Sequence, residues 1–184
     1  MQTAAAGEFV MDNSDPEEIT PLQPVVDTRE FRAALGCFAT GVTVITARGP
    51  RDELIGITAN SFNSVSMNPP LVLFSLGRSA YSLKAFLSTH NFAVNVLGAE
   101  QQELSNRFAK ALVDKWTGVD YMLTDTGCPF LAGTLARFEC RTHHTYDGGD
   151  HVIFVGEVLR CEYRPEGKPL IYYRGRYAQV QEGK

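Results

Sequence analysis

The feature that most constrains the fold is a polar bend between two apolar runs, GITANSFNSVSMNPPLVLFSL, at residues 56–76. Residues 54–57 are predicted to end one strand and residues 71–74 to form another. The crossing between them carries six short polar side chains: Thr58, Asn60, Ser61, Asn63, Ser64 and Ser66. Such hydroxyls, together with backbone N–H groups, bind phosphate without a cation, and the apolar residues between them suit a flat ring. A solvated loop between strands is the other interpretation that this pattern allows.

The remaining apolar patterns predict more strands than helices. Strands are predicted at residues 42–46, 92–97, 135–141, 152–158 and 170–173. On the strand from Leu135, Glu139 is predicted to face solvent, because apolar and charged residues alternate there. Asp147-Gly148-Gly149-Asp150 is a hairpin signal. Most predicted strands are joined by short turns, so we expect an antiparallel barrel or sandwich with peripheral helices.

Three helices are predicted around this sheet. The first follows an acidic cap at Asp27, and its residues Phe31, Leu35 and Phe38 recur at helical spacing. The second runs from a cap at Ser79, with Leu83 and Leu87 facing inward. The third covers residues 100–109, with Leu104 and Phe108 inward. Residues 110–127 are predicted to be irregular or helical surface, in which Trp116 is a packing residue.

Composition excludes several classes of protein. The 184 residues carry a net charge of -4, which gives no general attraction to nucleic acid or to an anionic membrane. Four cysteines lie far apart without a C-x-x-C pair, so we expect buried free thiols in a reducing cytoplasm and no zinc site. Residues 1–24 are predicted to be a flexible acidic arm and residues 25–184 a single domain. No stretch has the length or composition of a membrane span.

Among the histidines, His151 is the best candidate for a site. It follows the glycine-rich hairpin turn, where the backbone can approach a ligand closely and the imidazole can donate to an anion or a carboxamide. A purely structural His151, bonded to Asp150 or to a carbonyl, is the alternative. His143 and His144 are expected to point to opposite faces of their strand, so a metal cluster with His151 is not favoured. No Rossmann, Walker, G-x-S-x-G or H-E-x-x-H motif is present.

Several motifs in series resemble the short-chain flavin reductases, the reductase components of two-component flavin-dependent monooxygenases. The resemblance covers residues 27–180. Its motifs are FATGVTVIT at 38–46, TANSF at 58–62, SVS at 64–66, PPLVL at 69–73, FAVNVL at 92–97, GDH at 149–151 and YYRG at 172–175.

The resemblance implies an antiparallel Greek-key split β-barrel of the FMN-binding type, usually a homodimer. It implies an NADH-dependent, possibly NADPH-dependent, reductase that reduces FMN or FAD and releases the reduced flavin to a separate monooxygenase. Residues implied to contact flavin are Thr40, Gly41, Val42, Thr58, Ala59, Asn60, Ser61, Ser66, Ser75, Ser82, Phe92 and Phe108. Residues implied to contact the nicotinamide dinucleotide are Asp150, His151, Tyr173 and Arg174, with His151 catalytic.

The residue chemistry agrees with this implication, because hydride transfer needs positioning and hydrogen-bond donors rather than an acid or a nucleophile. Arg78 and Lys84 are near enough in sequence to steer a phosphate. Two other functions stay open. The first is a reductase that retains its flavin and passes electrons to ferric iron or a cobalt corrinoid, and the second is a non-catalytic flavin-binding module.

Overall fold

The structure, a computed structural model, describes residues 26–111 and 114–181. The predicted arm at residues 1–24 lies outside these residues. Three helices are present: α1 Thr28–Leu35, α2 Leu83–Leu87 and α3 Gln102–Ala109. The strands are β1 Thr40–Gly41, β2 Thr43–Arg48, β3 Leu54–Ala59, β4 Asn63–Met67, β5 Pro70–Gly77, β6 Asn91–Val96, β7 Tyr121–Leu123, β8 Pro129–Leu131, β9 Ala136–Gly148, β10 His151–Tyr163, β11 Ile171–Tyr173 and β12 Arg176–Ala178.

Seven antiparallel strands form the main sheet, in the order β3-β2-β6-β9-β10-β5-β4. Its edge strands β3 and β4 are consecutive in the chain and are joined by only residues 60–62, so the sheet must curl until its edges meet. Ser61 fixes this join, because its hydroxyl donates to the Ser75 carbonyl at 3.0 Å and accepts from the Ser75 amide at 2.9 Å. The predicted antiparallel split barrel is confirmed.

Phenylalanine rings fill the barrel interior. Phe74 of β5 stacks on Phe154 of β10 at 4.8 Å between ring centroids, and Phe92 of β6 meets Phe74 edge-on at 5.0 Å. Phe86 of α2 closes one side of this cluster. A second core lies between the barrel and α3, where Phe108 packs with Val44, Leu97 and other apolar residues. The predicted strands supply both cores, since β2 contributes to each of them and β5, β6 and β10 contribute to the first.

The polar bend is shorter than predicted. Residues 63–67 were expected on the crossing, but they form β4, which pairs antiparallel with β5 through Ser64 opposite Val72 and Ser66 opposite Leu71. Between β3 and β4, only residues 60–62 lie outside a strand. The reason is that pairing with β5 satisfies the backbone groups of β4, which short polar side chains do not prevent.

The predictions for α2 and for the segment after α3 also need correction. The helix α2 begins after Ser82, not at Ser79, and buries Leu83 and Phe86, whereas Leu87 is 51% exposed. Residues 121–123, expected to be irregular or helical, form β7, which pairs with β8. This hairpin covers Glu139, so that predicted solvent-facing carboxylate is buried and accepts from the Thr126 amide at 2.9 Å.

The helix α1 occurs where the sequence predicts it, with Asp27 accepting from the amides of Arg29 and Glu30. None of its residues is buried, and Phe31, Leu35 and the following Phe38 are all more than half exposed. All four cysteines are free, but Cys37 and Cys161 are exposed and only Cys128 and Cys140 are buried, which corrects the expectation of four buried thiols. No helix among the described residues is long and apolar enough to cross a membrane.

Gly56 of β3 gives a test of the packing between the barrel and α3. A Cβ at this position would overlap the Phe108 ring and approach Trp116 to 3.2 Å. We expect Gly56→Ala to lower the free energy of unfolding by about 1–3 kcal/mol, as overpacked cores do. Urea denaturation measures this. Gly41→Ala is the control, since nothing lies within 4 Å of its added Cβ, and an equal loss there would contradict the packing explanation.

Candidate functional site

A cleft of about 1170 Å³ lies beside the edge strand β3. Among the described residues β3 pairs only with β2, so its other edge is open beyond the closure at residues 60–62. The walls come from β3, from the segment around α2 and from residues 109–111 and 114–116 after α3. The cleft is therefore the split of the barrel.

Polar groups without protein partners line this cleft. The hydroxyls of Ser79 and Ser82 make no hydrogen bond to the described residues, and the exposed ammonium of Lys84 takes part in none of their ion pairs. They occupy the wall where β5 leads into α2. The predicted flavin contact Ser82 therefore lies in the cleft, and Ser79 joins it there.

Lys115 is a cleft residue that the sequence reasoning missed. Its ammonium donates to the carbonyls of Phe108 at 2.8 Å and Gly56 at 3.1 Å. None of the ion pairs found among the described residues involves it. Burial lowers the pKa of Lys115. A partly buried cation without a carboxylate partner favours an anionic ligand. A single lysine in an irregular segment carries no sequence signal that would have found it.

Strand β1 contributes an unsatisfied hydroxyl. Among the described residues, Thr40 Oγ1 is the buried side-chain oxygen or nitrogen that has no hydrogen-bond partner. The neighbouring Gly41 is exposed, with open space where a side chain would be. Val42, by contrast, is buried in the core beside α3, so its side chain packs and offers no surface.

The polar residues of the crossing divide between fold and site. The Thr58 hydroxyl donates to the Ser105 carbonyl of α3 at 2.6 Å. The Ser61 hydroxyl makes its two hydrogen bonds to the backbone of Ser75. Ala59 packs against the barrel core. Asn60 is exposed and its carboxamide bonds to none of the described residues. Of this group, Asn60 is the side chain that remains free for a ligand.

Three further predicted flavin contacts are placed elsewhere. Ser66 accepts from the Asn68 amide at 3.2 Å and caps the turn between β4 and β5. Phe92 is 1% exposed and Phe108 is fully buried, each in a core cluster. Their rings have no surface to present to a ligand in this structure, because both point into packed interiors rather than into the cleft.

The hairpin between β9 and β10 brings His151 to the rim of the cleft. His151 lies opposite Gly77 of β5, where an added Cβ would be 3.7 Å from its Nε2 atom and 3.9 Å from the Ser79 hydroxyl. The His151 Nδ1 atom is 2.7 Å from the Asp150 carboxylate. This hydrogen bond lowers the pKa of Asp150, with a smaller contribution from Arg32 of α1.

Tyr173 and Arg174 lie at the turn between β11 and β12. The Arg174 guanidinium is 5.2 Å from the centre of the Tyr173 ring, and the Arg174 amide donates to the Gly36 carbonyl at the end of α1. Thr40 lies opposite Tyr172 on the same small sheet.

The structure corrects the expectation for His143 and His144. A register shift between Val155 and Gly156 places an extra residue in β9, and the two imidazole rings lie 4.5 Å apart instead of on opposite faces. A bulge changes the direction of side chains in this way. Within residues 26–111 and 114–181, no three His, Cys, Asp or Glu side chains are grouped so that they could hold a metal ion.

The fold and the cleft together define a split-barrel protein with a hydroxyl-lined, cationic groove along its open edge. Residues 35–181 match the family model described as "Flavin reductase like domain". The chain therefore belongs to the flavin reductase family, which confirms the family expected from its motifs.

Known proteins similar to this chain include two curated relatives. It is 47% identical to the FMN reductase (NADH) SmoA of Agrobacterium fabrum over 83% of this chain and 86% of that one. It is 38% identical to HsaB of Rhodococcus jostii, a flavin-dependent monooxygenase reductase subunit, over 86% and 81%. Some relatives are longer, and the chain spans 44% of one from Rhizobium meliloti.

A solved structure supports the same fold. The chain superposes with a TM-score of 0.80 and 40% identity on the NADH:FAD oxidoreductase SgcE6 of Streptomyces globisporus, which was solved in complex with NAD and FAD fragments. The match covers 84% of this chain and 93% of that one.

Variants of two threonines distinguish a hydroxyl that is available to a ligand from one that stabilises the fold. We expect Thr40→Val to leave the free energy of unfolding unchanged or to raise it by about 1 kcal/mol, because its hydroxyl has no partner to lose. Thr58→Val should lower it by about 1 kcal/mol, because the Ser105 carbonyl loses its donor. Urea denaturation of the ligand-free protein measures both, and equal destabilisation by the two variants would contradict the assignment.

Proposed function

We propose that this protein is an NADH:flavin oxidoreductase that transfers a hydride from NADH to FMN or FAD. The observation that carries the proposal is the cleft, in which unpaired hydroxyls and the cation of Lys115 lie next to the His151 hairpin. The family and the NADH-linked activities of the named relatives support it.

The residues present fit a flavin. A phosphate on the ribityl chain needs hydrogen-bond donors and cations, and Ser79, Ser82, Lys84 and Lys115 supply them in the cleft. The two carboxylates that also line the cleft are already bonded, Glu53 to Arg51 and Asp114 to the amides of Trp116 and Thr117. The ring needs polar contacts at its edge, for which Asn60 and the unsatisfied Thr40 hydroxyl are available. We do not propose direct flavin contacts for Thr58, Ser61, Val42 or the buried phenylalanines. These residues bond or pack within the protein and so stabilise the positions of the proposed contacts.

The protein's part in the reaction is to position the two nucleotides. The flavin accepts a hydride at its ring nitrogen when the nicotinamide carbon lies about 3–3.5 Å away. His151 is proposed to hold the nicotinamide end, with Asp150 orienting its imidazole through the 2.7 Å hydrogen bond. Tyr173 and Arg174, at the turn between β11 and β12 beside the end of α1, are proposed to cover the dinucleotide. No nucleophile or general base is required.

Release of the reduced flavin to a separate monooxygenase is part of the proposal. The similarity to HsaB, a reductase subunit of a flavin-dependent monooxygenase, supports a partner of this kind. The cleft is open to solvent along β3, so a bound flavin can leave. The four free cysteines fit a reducing compartment, and we propose the cytoplasm as the location.

We propose a homodimer on the basis of one face of the sheet. On the outer side of β5 and β10, Leu71, Leu73, Ile153 and Val155 are partly exposed, and Tyr146 of β9 is 53% exposed beside them. An outward sheet face in contact with water is normally polar. His151 and Gly77 continue this same face, so a second copy would also border the nicotinamide site.

The function is tested by mixing the purified protein with NADH and with added FMN or FAD. We expect NADH oxidation that depends on added flavin, measured at 340 nm. His151→Ala should raise the KM for NADH about tenfold and change flavin affinity little, since it holds only the dinucleotide. His90→Ala, an exposed histidine elsewhere, is the control.

Three results would change the proposal. Absence of flavin-dependent NADH oxidation would remove it. A yellow protein whose turnover ignores added flavin would favour the reductase with retained flavin. Unchanged kinetics in His151→Ala would leave the histidine a structural role.

The dimer is tested by light scattering coupled to size-exclusion chromatography. We expect twice the chain mass for the native protein and a single chain mass for Val155→Glu, because a carboxylate on the apolar face would be buried without a partner. Leu87→Glu, on the exposed side of α2, is the control and should remain dimeric. A native protein of single chain mass would overturn the proposal.

A further inference from the structure

Arg78 does not face the cleft, although the sequence suggested that it steers a phosphate. Its guanidinium Nε donates to the Gly149 carbonyl at 2.8 Å, and its Nη2 atom forms an ion pair with Asp147 at 2.8 Å. Its backbone amide donates to the Asp150 carbonyl at 2.8 Å. One residue therefore makes three contacts to a single hairpin turn.

These contacts hold the turn that carries His151. The turn also has an internal bond, since Asp147 accepts from the Gly149 amide at 2.9 Å. The Asp147 carboxylate thus accepts from both the Gly149 amide and the Arg78 guanidinium, and its hydrogen bond with Arg78 is the main cause of its lowered pKa. An exposed ion pair alone contributes little to stability, but several contacts to one four-residue turn restrict its position strongly.

Arg78 also lies between the two parts of the site. The His151 ring lies next to the preceding residue, Gly77. The hydroxyl of the following residue, Ser79, lies in the cleft without a partner among the described residues. The segment 77–79 therefore joins the predicted dinucleotide contact to the predicted flavin-phosphate contact through one continuous stretch of backbone. A displacement of the hairpin would move His151 away from the cleft rim.

We propose that Arg78 is a positioning residue that locks the β9–β10 hairpin, so that His151 is held at the rim of the flavin cleft. Arg78 acts on the dinucleotide through the hairpin and contacts neither nucleotide. The inference rests on the proposed role of His151 in binding NADH. This function differs from phosphate steering, and the two can be told apart, because positioning of His151 affects the KM for NADH whereas phosphate steering affects the binding of FMN.

The test compares Arg78→Ala with Arg78→Lys using FMN and riboflavin as acceptors. For Arg78→Ala we expect the KM for NADH to rise about tenfold with both acceptors, because the two side-chain contacts, to the Gly149 carbonyl and to Asp147, are lost and only the backbone bond to the Asp150 carbonyl remains to position His151. The dissociation constants of FMN and riboflavin should stay within about twofold of the native values. Arg78→Lys should recover only part of the NADH affinity, because an ammonium cannot reproduce the forked contacts of a guanidinium.

Hydrogen exchange of the hairpin amides provides a readout that does not depend on activity. We expect faster exchange at residues 147–151 in Arg78→Ala. Arg48→Ala is the matched control, because it removes an Arg–Asp pair with Asp52 at a different turn and should change neither exchange at residues 147–151 nor the KM for NADH.

Two outcomes would overturn the inference. Weakened binding of FMN but not of riboflavin in Arg78→Ala would show that Arg78 binds the phosphate. Unchanged hairpin exchange and unchanged KM for NADH would show that the contacts do not position His151. Failure of the proposed function is distinguishable, because the native protein would then show no flavin-dependent NADH oxidation while Arg78→Ala would still speed exchange at the hairpin. Failure of the proposed role of His151 alone would leave NADH use intact in His151→Ala.

Discussion

The closure of a seven-stranded sheet across three residues is the constraint on which the rest of the structure depends. Ser61 uses both its donor and its acceptor capacity on the backbone of Ser75, and so it fixes the edge of β3 to the neighbourhood of β5. The closed end encloses the phenylalanine core, while the remaining edge of β3 stays open and becomes a wall of the cleft. The hydrophobic core and the cleft thus both result from the incomplete closure of the barrel.

The same types of side chain serve the fold at some positions and remain available at others. Thr58 and Ser61 reach carbonyls on α3 and β5, whereas the hydroxyls of Thr40 and Ser79 have no partner within residues 26–111 and 114–181. The two kinds of position differ in whether the fold brings a carbonyl from a distant part of the chain next to the hydroxyl. This explains why the sequence could not reveal which polar side chains the folded chain leaves without a partner.

The sequence predicted strands β2, β3, β5, β6, β9, β10 and β11, the three helices and the family, because periodicity and the order of motifs are local properties. It did not predict that Phe86, and not Leu87, faces the core, because a helix of one turn leaves the phase of its pattern undetermined. Nor could it identify Lys115 or the partners of Arg78. Both depend on elements brought together only by the folded chain, and Arg78 reaches a turn about seventy residues away.

The open edge of β3 has a consequence for how the protein behaves in a crowded solution. An unpaired strand edge is a template for the addition of a strand from another molecule, and proteins often protect such edges with lysine. Lys115 places its ammonium on the Gly56 carbonyl of this edge, while Trp116 and Phe108 stand over the same glycine. The arrangement that would receive a nucleotide thus also guards the molecule against intermolecular β-sheet growth.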